Sequence, residues 1–329
     1  MKSFRRPVTV TATLALAAAL VLPGGAQAGA SGQVFVSSEK DNTLVMVDIA
    51  RAETTGAAPI CKRPRHLQLS PDRSRLYVAC SDGNHIAVWD IAARKVVEKL
   101  EVGDDPEMFD ISPDGRMLYA SNEEDSTLTG YDLVARRKIF EVKVGGEPEG
   151  VKVSADGKTV YVASEVASTV HVIDVASRKL VKNIAVGKRP RRFLLTASQL
   201  WVSNELGASV SMIGLADHAV QGTIDFRPPG MRAEDVTPVG MALSADGKTA
   251  YVGLGRANRV AVVDVASHQV RGYVLVGKRA WGLGLSRDGR RLYVANGLSD
   301  DLTIVDTAAM KAIKTVNAGR SPHSVVVDD

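Results

Sequence analysis

The segment Ser112–Asp132 reads SPDGRMLYASNEEDSTLTGYD, and it holds the features that decide the fold. It opens on a Ser-Pro-Asp-Gly turn, continues through an apolar stretch around Tyr119 and ends on Asp132. The turn suits a tight hairpin, because Asp bonds its own backbone and Gly accepts a positive φ. The stretches around it are short, alternate between apolar and polar residues and end at turn residues, which is typical of β-strands.

The same unit recurs seven times along the chain. An aromatic residue marks each copy, at Phe35, Tyr77, Tyr119, Tyr161, Trp201, Tyr251 and Tyr293, with steps of 42, 42, 42, 40, 50 and 42 residues. A second marker follows it, at Asp48, Asp90, Asp132, Asp174, Gly214, Asp264 and Asp306, so that only the fifth copy lacks Asp. In the third copy the four predicted strands are 108–112, 118–121, 127–132 and 138–144. A four-stranded unit of this length, repeated seven times, predicts an all-β fold, a seven-bladed β-propeller of four-stranded blades.

The two ends of the chain are predicted to close the ring. The first copy begins at its second strand (34–38), and the chain ends with a first strand (324–328). Together these strands complete blade 1, so the C-terminal strand closes the N-terminal blade and leaves no open edge between first and last blades.

The N-terminal residues have the pattern of an export signal. Lys2, Arg5 and Arg6 precede an apolar run at 8–22, and small residues at 26–28 suit a cleavage site. We therefore predict a signal peptide at 1–28, a single propeller domain at 29–329 and a periplasmic location; an uncleaved anchor is the alternative. Removing three cations lowers the net charge from +4 to +1, which argues against nucleic-acid binding. With 45% hydrophobic and 24% charged residues, the composition also excludes intrinsic disorder and a polytopic membrane protein.

The two cysteines are predicted to lie at the same end of one blade. Cys61 is in the link into the second blade, and Cys80 ends the second strand of that blade. Because the first two strands run antiparallel, both residues fall at the same end. We expect a disulfide, which suits an oxidising compartment, with two buried thiols as the alternative.

The repeat resembles the YVTN-type β-propeller family. The resemblance rests on openings such as Leu292–Asn296 (LYVAN) and on the links Val102–Pro106 (VGDDP), Val144–Pro148 (VGGEP) and Val186–Pro190 (VGKRP). It covers residues 34–329 and departs in the fifth copy, which lacks the Asp and has an enlarged link. Within the family, the exported form most resembles the periplasmic propellers associated with PQQ-dependent alcohol catabolism. The resemblance thus implies a propeller with a role near PQQ-dependent alcohol oxidation, although other relatives include lactonase-like enzymes.

The loops at one end of the predicted ring form the candidate binding surface, because links between blades and loops between second and third strands emerge together there. Its predicted ligand- or partner-binding residues are Arg63, Arg65, His66, Arg189, Arg191, Arg192, Arg227, Arg232, Arg279, Trp281, Arg320 and His323. Between them lies a predicted acidic sector of Asp104, Asp105, Glu107, Glu123, Glu124, Asp125, Glu147, Glu149 and Glu165. Converging arginines repel one another unless a ligand or partner compensates their charge, and solvated loop charge is the alternative.

The enlarged link at 226–237 is predicted to reach over this surface. Phe226 and Met231 would turn inward as a lid, and Arg227 and Arg232 would add positive charge. A tolerated surface elaboration is the alternative, since long loops cost little closure entropy.

These residues leave two functional hypotheses. The first is a periplasmic binding or accessory protein whose charged mouth recognises an anionic small molecule or a protein, such as a PQQ dehydrogenase system. PQQ carries three carboxylates and would suit Arg63, Arg191, Arg192 and Arg279. The second hypothesis is a propeller lactonase, in which arginine and histidine bind and hydrolyse a cyclic ester. No catalytic residue and no metal site is predicted, because the six histidines lack ligand spacing in sequence. His66 and His323 open the first strands of neighbouring blades and are therefore predicted to lie close together at the mouth, with a shared metal or haem ligand role as the alternative to surface histidines. We expect a monomer without a membrane span after signal cleavage.

Overall fold

The computed structural model describes Met1 and residues 29–329, so the predicted signal peptide lies, apart from Met1, outside the described residues. In this part of the chain, 28 strands form seven four-stranded antiparallel sheets. The predicted all-β, seven-bladed propeller is therefore confirmed. The helical segments of the described residues are three short 3₁₀ turns, at Ser81–Gly83, Glu205–Gly207 and Ala233–Asp235. None of them is long or apolar enough to cross a membrane.

The blades follow one another in chain order. Blades 1 to 4 contain β1 Gln33–Ser38, β2 Thr43–Asp48 and β3 Glu53–Pro59; β4 Pro64–Leu69, β5 Arg75–Cys80, β6 His85–Asp90 and β7 Lys95–Leu100; β8 Pro106–Ile111, β9 Met117–Asn122, β10 Thr127–Asp132 and β11 Arg137–Lys143; and β12 Pro148–Val153, β13 Thr159–Ser164, β14 Thr169–Asp174 and β15 Lys179–Ala185. Blades 5 to 7 contain β16 Pro190–Leu195, β17 Gln199–Asn204, β18 Ser209–Gly214 and β19 Val220–Asp225; β20 Met241–Leu243, β21 Thr249–Gly253, β22 Arg259–Asp264 and β23 Val270–Leu275; and β24 Ala280–Leu285, β25 Arg291–Asn296, β26 Asp301–Asp306 and β27 Lys311–Asn317. Strand β28, Pro322–Asp328, returns to blade 1.

The ring closes in blade 1 as the sequence predicted. Strand β28 pairs antiparallel with β1, which places Val326 opposite Phe35. The buried carboxylate of Asp328 accepts a hydrogen bond from the Arg73 side chain of blade 2 at 2.7 Å and another from the Ser31 amide at 2.8 Å. The Asp328 side chain therefore links the last strand both to blade 2 and to the segment that precedes β1.

The repeated aromatic residue packs between blades. Tyr119 of blade 3 belongs to a core cluster that contains Val151 and Val160 of blade 4, and Trp201 of blade 5 packs with Val252 of blade 6. The same arrangement recurs around the ring, so the core consists of seven interfaces between adjacent blades. The period of about 42 residues is therefore the length of one blade, and each blade presents its aromatic side chain to the next blade.

The links between blades and the loops between second and third strands lie together at one end of the ring. In blade 3 the Glu123 amide donates to the Asp105 carbonyl at 2.9 Å, and in blade 4 the Glu165 amide donates to the Glu147 carbonyl at 3.0 Å. We call this end the mouth face. A disulfide joins Cys61 and Cys80 there, with Cα atoms 5.8 Å apart.

Candidate functional site

The first strand of each blade lies nearest the central channel, and a residue at its mouth end lines the channel entrance. In six blades this residue follows a proline, and in blade 7 it follows Ala280. The seven residues, all buried, are Arg65, Glu107, Glu149, Arg191, Val239, Trp281 and His323. We call them the inner ring. Blades 2 to 5 thus contribute two arginines and two glutamates, while the other three blades contribute Val, Trp and His.

β-Bulges next to the inner ring bring a second side chain into the channel. The pairing of β16 with β17 shifts register between Pro190 and Phe193, and β4 shifts against β5 between Pro64 and Leu67. Successive side chains of a regular strand point to opposite faces, but a bulge redirects one of them. Arg191 and Arg192 are consequently both buried, and His66 lines the channel next to Arg65.

Arg65 is surrounded by carboxylates from three blades. Its guanidinium contacts Glu39 at 2.6 Å and Glu149 at 3.7 Å, and it contacts the Glu107 carboxyl group as well. Arg63, two residues before Arg65 in the link, contacts Glu107 at 3.3 Å. The charge of each arginine is therefore matched by protein carboxylates.

The arginines of blade 5 are compensated in the same way. Arg191 pairs with Glu165 and lies 3.4 Å from Glu149, and Arg189 contacts Glu165 at 2.6 Å and Glu205 at 3.0 Å. The sequence-based expectation of separate acidic and basic sectors is therefore wrong for these residues. Blades of opposite charge are neighbours in the ring, so their buried side chains interleave into one ion-pair network, and the arginines need no ligand to offset their repulsion.

The network holds its carboxyl groups in different protonation states. Burial raises the pKa of Glu107 to about 8, with Glu149 adding to the effect and Arg65 opposing it. Burial also acts on Glu149, but Arg191, Arg192 and Arg65 outweigh it and lower its pKa to about 2. A protonated Glu107 therefore lies beside an ionised Glu149 in the network. Burial and the charge of Glu149 raise the pKa of Glu165 to about 7, against the effect of Arg191.

Three of the predicted acidic residues form a tight group on blade 3. Carboxylate oxygens of Asp105, Glu107 and Glu123 lie within 4.8 Å of one another. The Arg63 guanidinium is 3.5 Å from Asp105 and also contacts Glu107. Protein cations therefore already contact two of these three carboxyl groups, those of Asp105 and Glu107.

Trp281 is buried rather than exposed, which corrects the sequence-based expectation of an exposed contact aromatic. Only 6% of its surface is accessible. The Arg279 guanidinium lies over its ring at 4.2 Å from the centroid, and Arg191 lies at 5.1 Å. Desolvated cation–π contacts of this kind stabilise both partners. The ring of His323 is 5.7 Å from the Trp281 ring, so the two residues form one wall.

A cavity of about 110 Å³ lies in the channel beside this wall. Its polar lining comes from His66, Arg192, Trp281, His323 and Ser324, and its apolar lining includes Met108, Phe193 and Leu283. No carboxylate belongs to this lining, and outside it the Arg192 guanidinium contacts Glu149 at 3.1 Å through Nη2. Within the described residues, three buried polar nitrogens of the lining have no hydrogen-bond partner: Arg192 Nη1, Trp281 Nε1 and His323 Nδ1.

His323 presents a hydrogen-bond donor through Nδ1. Burial and the nearby Arg65 and Arg192 hold its pKa well below the ordinary histidine range, so the imidazole is neutral. Arg192 can only donate, and its Nη2 lies 3.4 Å from His323 Nε2, which therefore accepts. The proton of the neutral ring is then on Nδ1. Burial, Arg192 and Lys152 likewise lower the pKa of His66, which lines the same cavity. The predicted proximity of these two histidines is thereby confirmed.

The remaining predicted residues lie outside the cavity. Arg320 is exposed and pairs with Asp41 at 2.5 Å, while Asp104, Glu124, Asp125 and Glu147 lie on the loops and links of blades 3 and 4.

The enlarged link does not form the predicted lid. Phe226 is 2% exposed and packs with Trp201 between blades 5 and 6, where Met231 also packs. Arg232 forms ion pairs with its neighbours Glu234 and Asp235 at 3.0 and 2.9 Å, so its charge is compensated within the link. Arg227 is exposed and lies 3.7 Å from Asp225.

Two network residues were missed by the sequence analysis. Glu39 and Glu205 each follow the end of a second strand, in blades 1 and 5. Glu123 and Glu165 hold the same position in blades 3 and 4, so aligning the seven copies at this position would have found them. Charges grouped by blade, instead of by position within the repeat, do not reveal these two residues.

Fold and site together define a closed seven-bladed β-propeller with a charged channel mouth. Within that class, residues 108–199 match the model of the YNCE-like beta-propeller family. No curated protein sequence matches the chain significantly.

Solved structures share the fold. The periplasmic gluconolactonase of Pseudomonas aeruginosa is 21% identical, with a TM-score of 0.75 over 89% of this chain and 98% of that one. A functionally unknown protein of Desulfotomaculum acetoxidans is 15% identical, with a TM-score of 0.77 over 90% and 99%. Hydrazine synthase of Kuenenia stuttgartiensis is 22% identical, with a TM-score of 0.71 over 80% and 89%. At these identities the likeness extends to the fold alone.

Proposed function

We propose that the protein binds a small organic anion in the channel cavity. The observation that carries the proposal is the set of three unpartnered buried donors, on Arg192, Trp281 and His323, around a cavity without a carboxylate in its lining. Leaving a buried donor unpaired costs about 1–3 kcal/mol, so an occupant that accepts hydrogen bonds is favoured. The apolar part of the lining favours an anion with a carbon skeleton over an inorganic ion.

The cavity volume sets the size of this ligand. Its volume of about 110 Å³ equals the share of roughly four water molecules, which suits a carboxylate with a few carbon atoms. PQQ is larger, since pockets for ligands of that size measure about 300–1,000 Å³. We therefore propose PQQ as a ligand of the outer mouth only, where Arg63 and Arg279 are partly accessible.

The experiment is a titration of the mature protein with acetate, lactate, benzoate, gluconate and PQQ, followed by tryptophan fluorescence. Trp281 lines the cavity, whereas Trp89 and Trp201 are buried between blades. Arg192→Met should weaken binding of the small anions about 10- to 100-fold, because a charge-assisted hydrogen bond is lost. Arg256→Met is the matched control, since Arg256 is exposed on the mouth face. Equal affinities for both variants, or no binding by the wild type, would reject the proposal.

A second candidate is a lactonase, and one feature of the cavity favours it. Hydrolysis of a lactone yields a hydroxy-acid anion, which the same donors would bind. Neutral His66, which lines the same cavity, is suited to accept a proton from an attacking water. Acid release from a panel of sugar and aliphatic lactones tests this candidate, and His66→Asn should abolish it. Anion binding without any acid release would reject the lactonase candidate and leave only the proposed binding function.

The cellular setting is proposed from the sequence. The predicted signal peptide supports export to the periplasm, and the Cys61–Cys80 disulfide suits an oxidising compartment. The resemblance to PQQ-associated propellers supports a role beside PQQ-dependent alcohol oxidation, with a dehydrogenase as the protein partner. Fractionation of cells that express the full chain tests the location.

A further inference from the structure

Exposed charges are unevenly distributed around the mouth face. Blades 2 and 3 carry the exposed acids Asp82, Asp104 and Glu124, with the exposed cations Lys62 and Lys143 beside them. We call these three acids the acidic arc. The opposite side, from blade 5 to blade 1, carries exposed cations that form no ion pair within the described residues: Lys188, Arg256, Lys278 and Lys40. We call Arg256 and Lys278, the two of these cations that lie opposite blades 2 and 3, the basic arc.

The two arcs lie across the channel from each other. In a ring of seven blades, blade 3 is opposite the boundary between blades 6 and 7. A two-fold axis in the plane of the mouth face, passing between blades 4 and 5, exchanges these two sides. Two copies related by that axis would place the acidic arc of each on the basic arc of its partner, which is the self-complementary arrangement of an isologous dimer.

Two exposed apolar side chains lie next to the same axis. Val166 of blade 4 is 70% exposed and Leu206 of blade 5 is 56% exposed, at equivalent positions of their loops. The axis between these blades brings Val166 of each copy towards Leu206 of the other. Neighbouring exposed apolar residues within a charged rim are typical of protein interfaces.

We propose that two copies of this chain pair through their mouth faces, with the acidic arc of one on the basic arc of the other. The inference does not depend on the proposed anion binding. The expectation of a monomer came from the sequence alone, which does not show that the two groups of charges lie on opposite sides of one face.

Sedimentation of the mature protein tests the pairing. At about 0.5 mM protein, a complex with a Kd near 0.1 mM is still mostly formed. We expect a dimer at about 0.05 M salt that dissociates at about 1 M salt, because screening shortens the range of exposed charge pairs. A protein that is monomeric at low salt, or a dimer that salt does not affect, would overturn the proposal.

Charge reversal tests the geometry of the pairing. Asp104→Lys with Glu124→Lys makes both arcs basic, and Arg256→Glu with Lys278→Glu makes both acidic. Each double variant should be monomeric alone, and an equimolar mixture should form a heterodimer. Failure of the mixture to pair, while the wild type dimerises, would contradict this arrangement.

A matched pair of valines tests the apolar contact. Val166→Glu should weaken the dimer at least 10-fold. Val134→Glu is the control, since Val134 is 66% exposed in the turn between β10 and β11 at the opposite end of the ring. Equal effects of the two substitutions would exclude the axis between blades 4 and 5.

Discussion

At the scale of single residues, the mouth shows how burial decides the state of a charge. Glu107 and Glu149 hold equivalent positions in adjacent blades and have the same side chain, but they differ in their cations. Three arginines lower the pKa of Glu149 to about 2, whereas burial dominates at Glu107 and raises its pKa to about 8. The pair therefore shares one proton at neutral pH, as closely spaced carboxyl groups do.

This assignment predicts how stability depends on pH. The pKa of Glu107 is raised on folding, so its contribution is fully present below its ordinary pKa of 4.5 and is lost as pH rises towards about 8. Glu107→Gln keeps a donor to Glu149 but cannot ionise. We expect the free energy of unfolding of the wild type to fall relative to that of this variant as the pH rises from about 5 to about 8.

Urea unfolding at several pH values measures the effect. Glu124→Gln is the control, because Glu124 is exposed on the same blade and the slope should stay as in the wild type. A pH dependence that is the same in Glu107→Gln as in the wild type would contradict the protonated state of Glu107.

At the scale of the elements, the inner strands approach one another so closely that glycine is required. A Cβ atom on Gly282 would lie 2.3 Å from the His323 carbonyl oxygen, and one on Gly240 would lie close to the Trp281 carbonyl. The Gly240 amide donates to the Trp281 carbonyl at 3.1 Å, so neighbouring blades are hydrogen-bonded at this point. These glycines stand next to inner-ring residues and thereby fix the width of the channel.

We predict that Gly282→Ala destabilises the protein by about 1–3 kcal/mol, because the added methyl group forces the inner strands apart. Gly146→Ala is the control, since its Cβ would have its nearest neighbour at 3.8 Å. Thermal unfolding followed by circular dichroism compares the two variants. If the Tm falls equally in both, the close approach of the strands is not the cause.

The sequence predicted the elements better than the site. Strand β10 was placed at its observed bounds, and the other strands of blade 3 were within two residues, because turn residues and aromatic markers repeat locally. The site depends on contacts between residues of different copies, such as Arg65 with Glu149. The sequence of a loop does not show which of its side chains are buried against residues of other blades. Trp281 and Phe226 were therefore both predicted in the wrong environment.

At the scale of the whole molecule, stability depends on closing the ring. Removal of Ser324–Asp329 takes away most of β28 and leaves β1 without its inner partner. We expect this truncated protein to aggregate.

Asp328→Ala tests the same closure more mildly and should lower the free energy of unfolding by about 3–5 kcal/mol, because it leaves the side chain of Arg73 without its buried carboxylate. An unchanged Tm in Asp328→Ala would argue against this closure.

A crystal structure of the mature protein with the tightest-binding small anion is the strictest test of anion binding in the channel. We expect density for the anion in the channel cavity, with acceptor oxygens within hydrogen-bond distance of Arg192 Nη1 and Trp281 Nε1. Density for the anion elsewhere, or only water in the cavity at saturating anion, would contradict the proposed function.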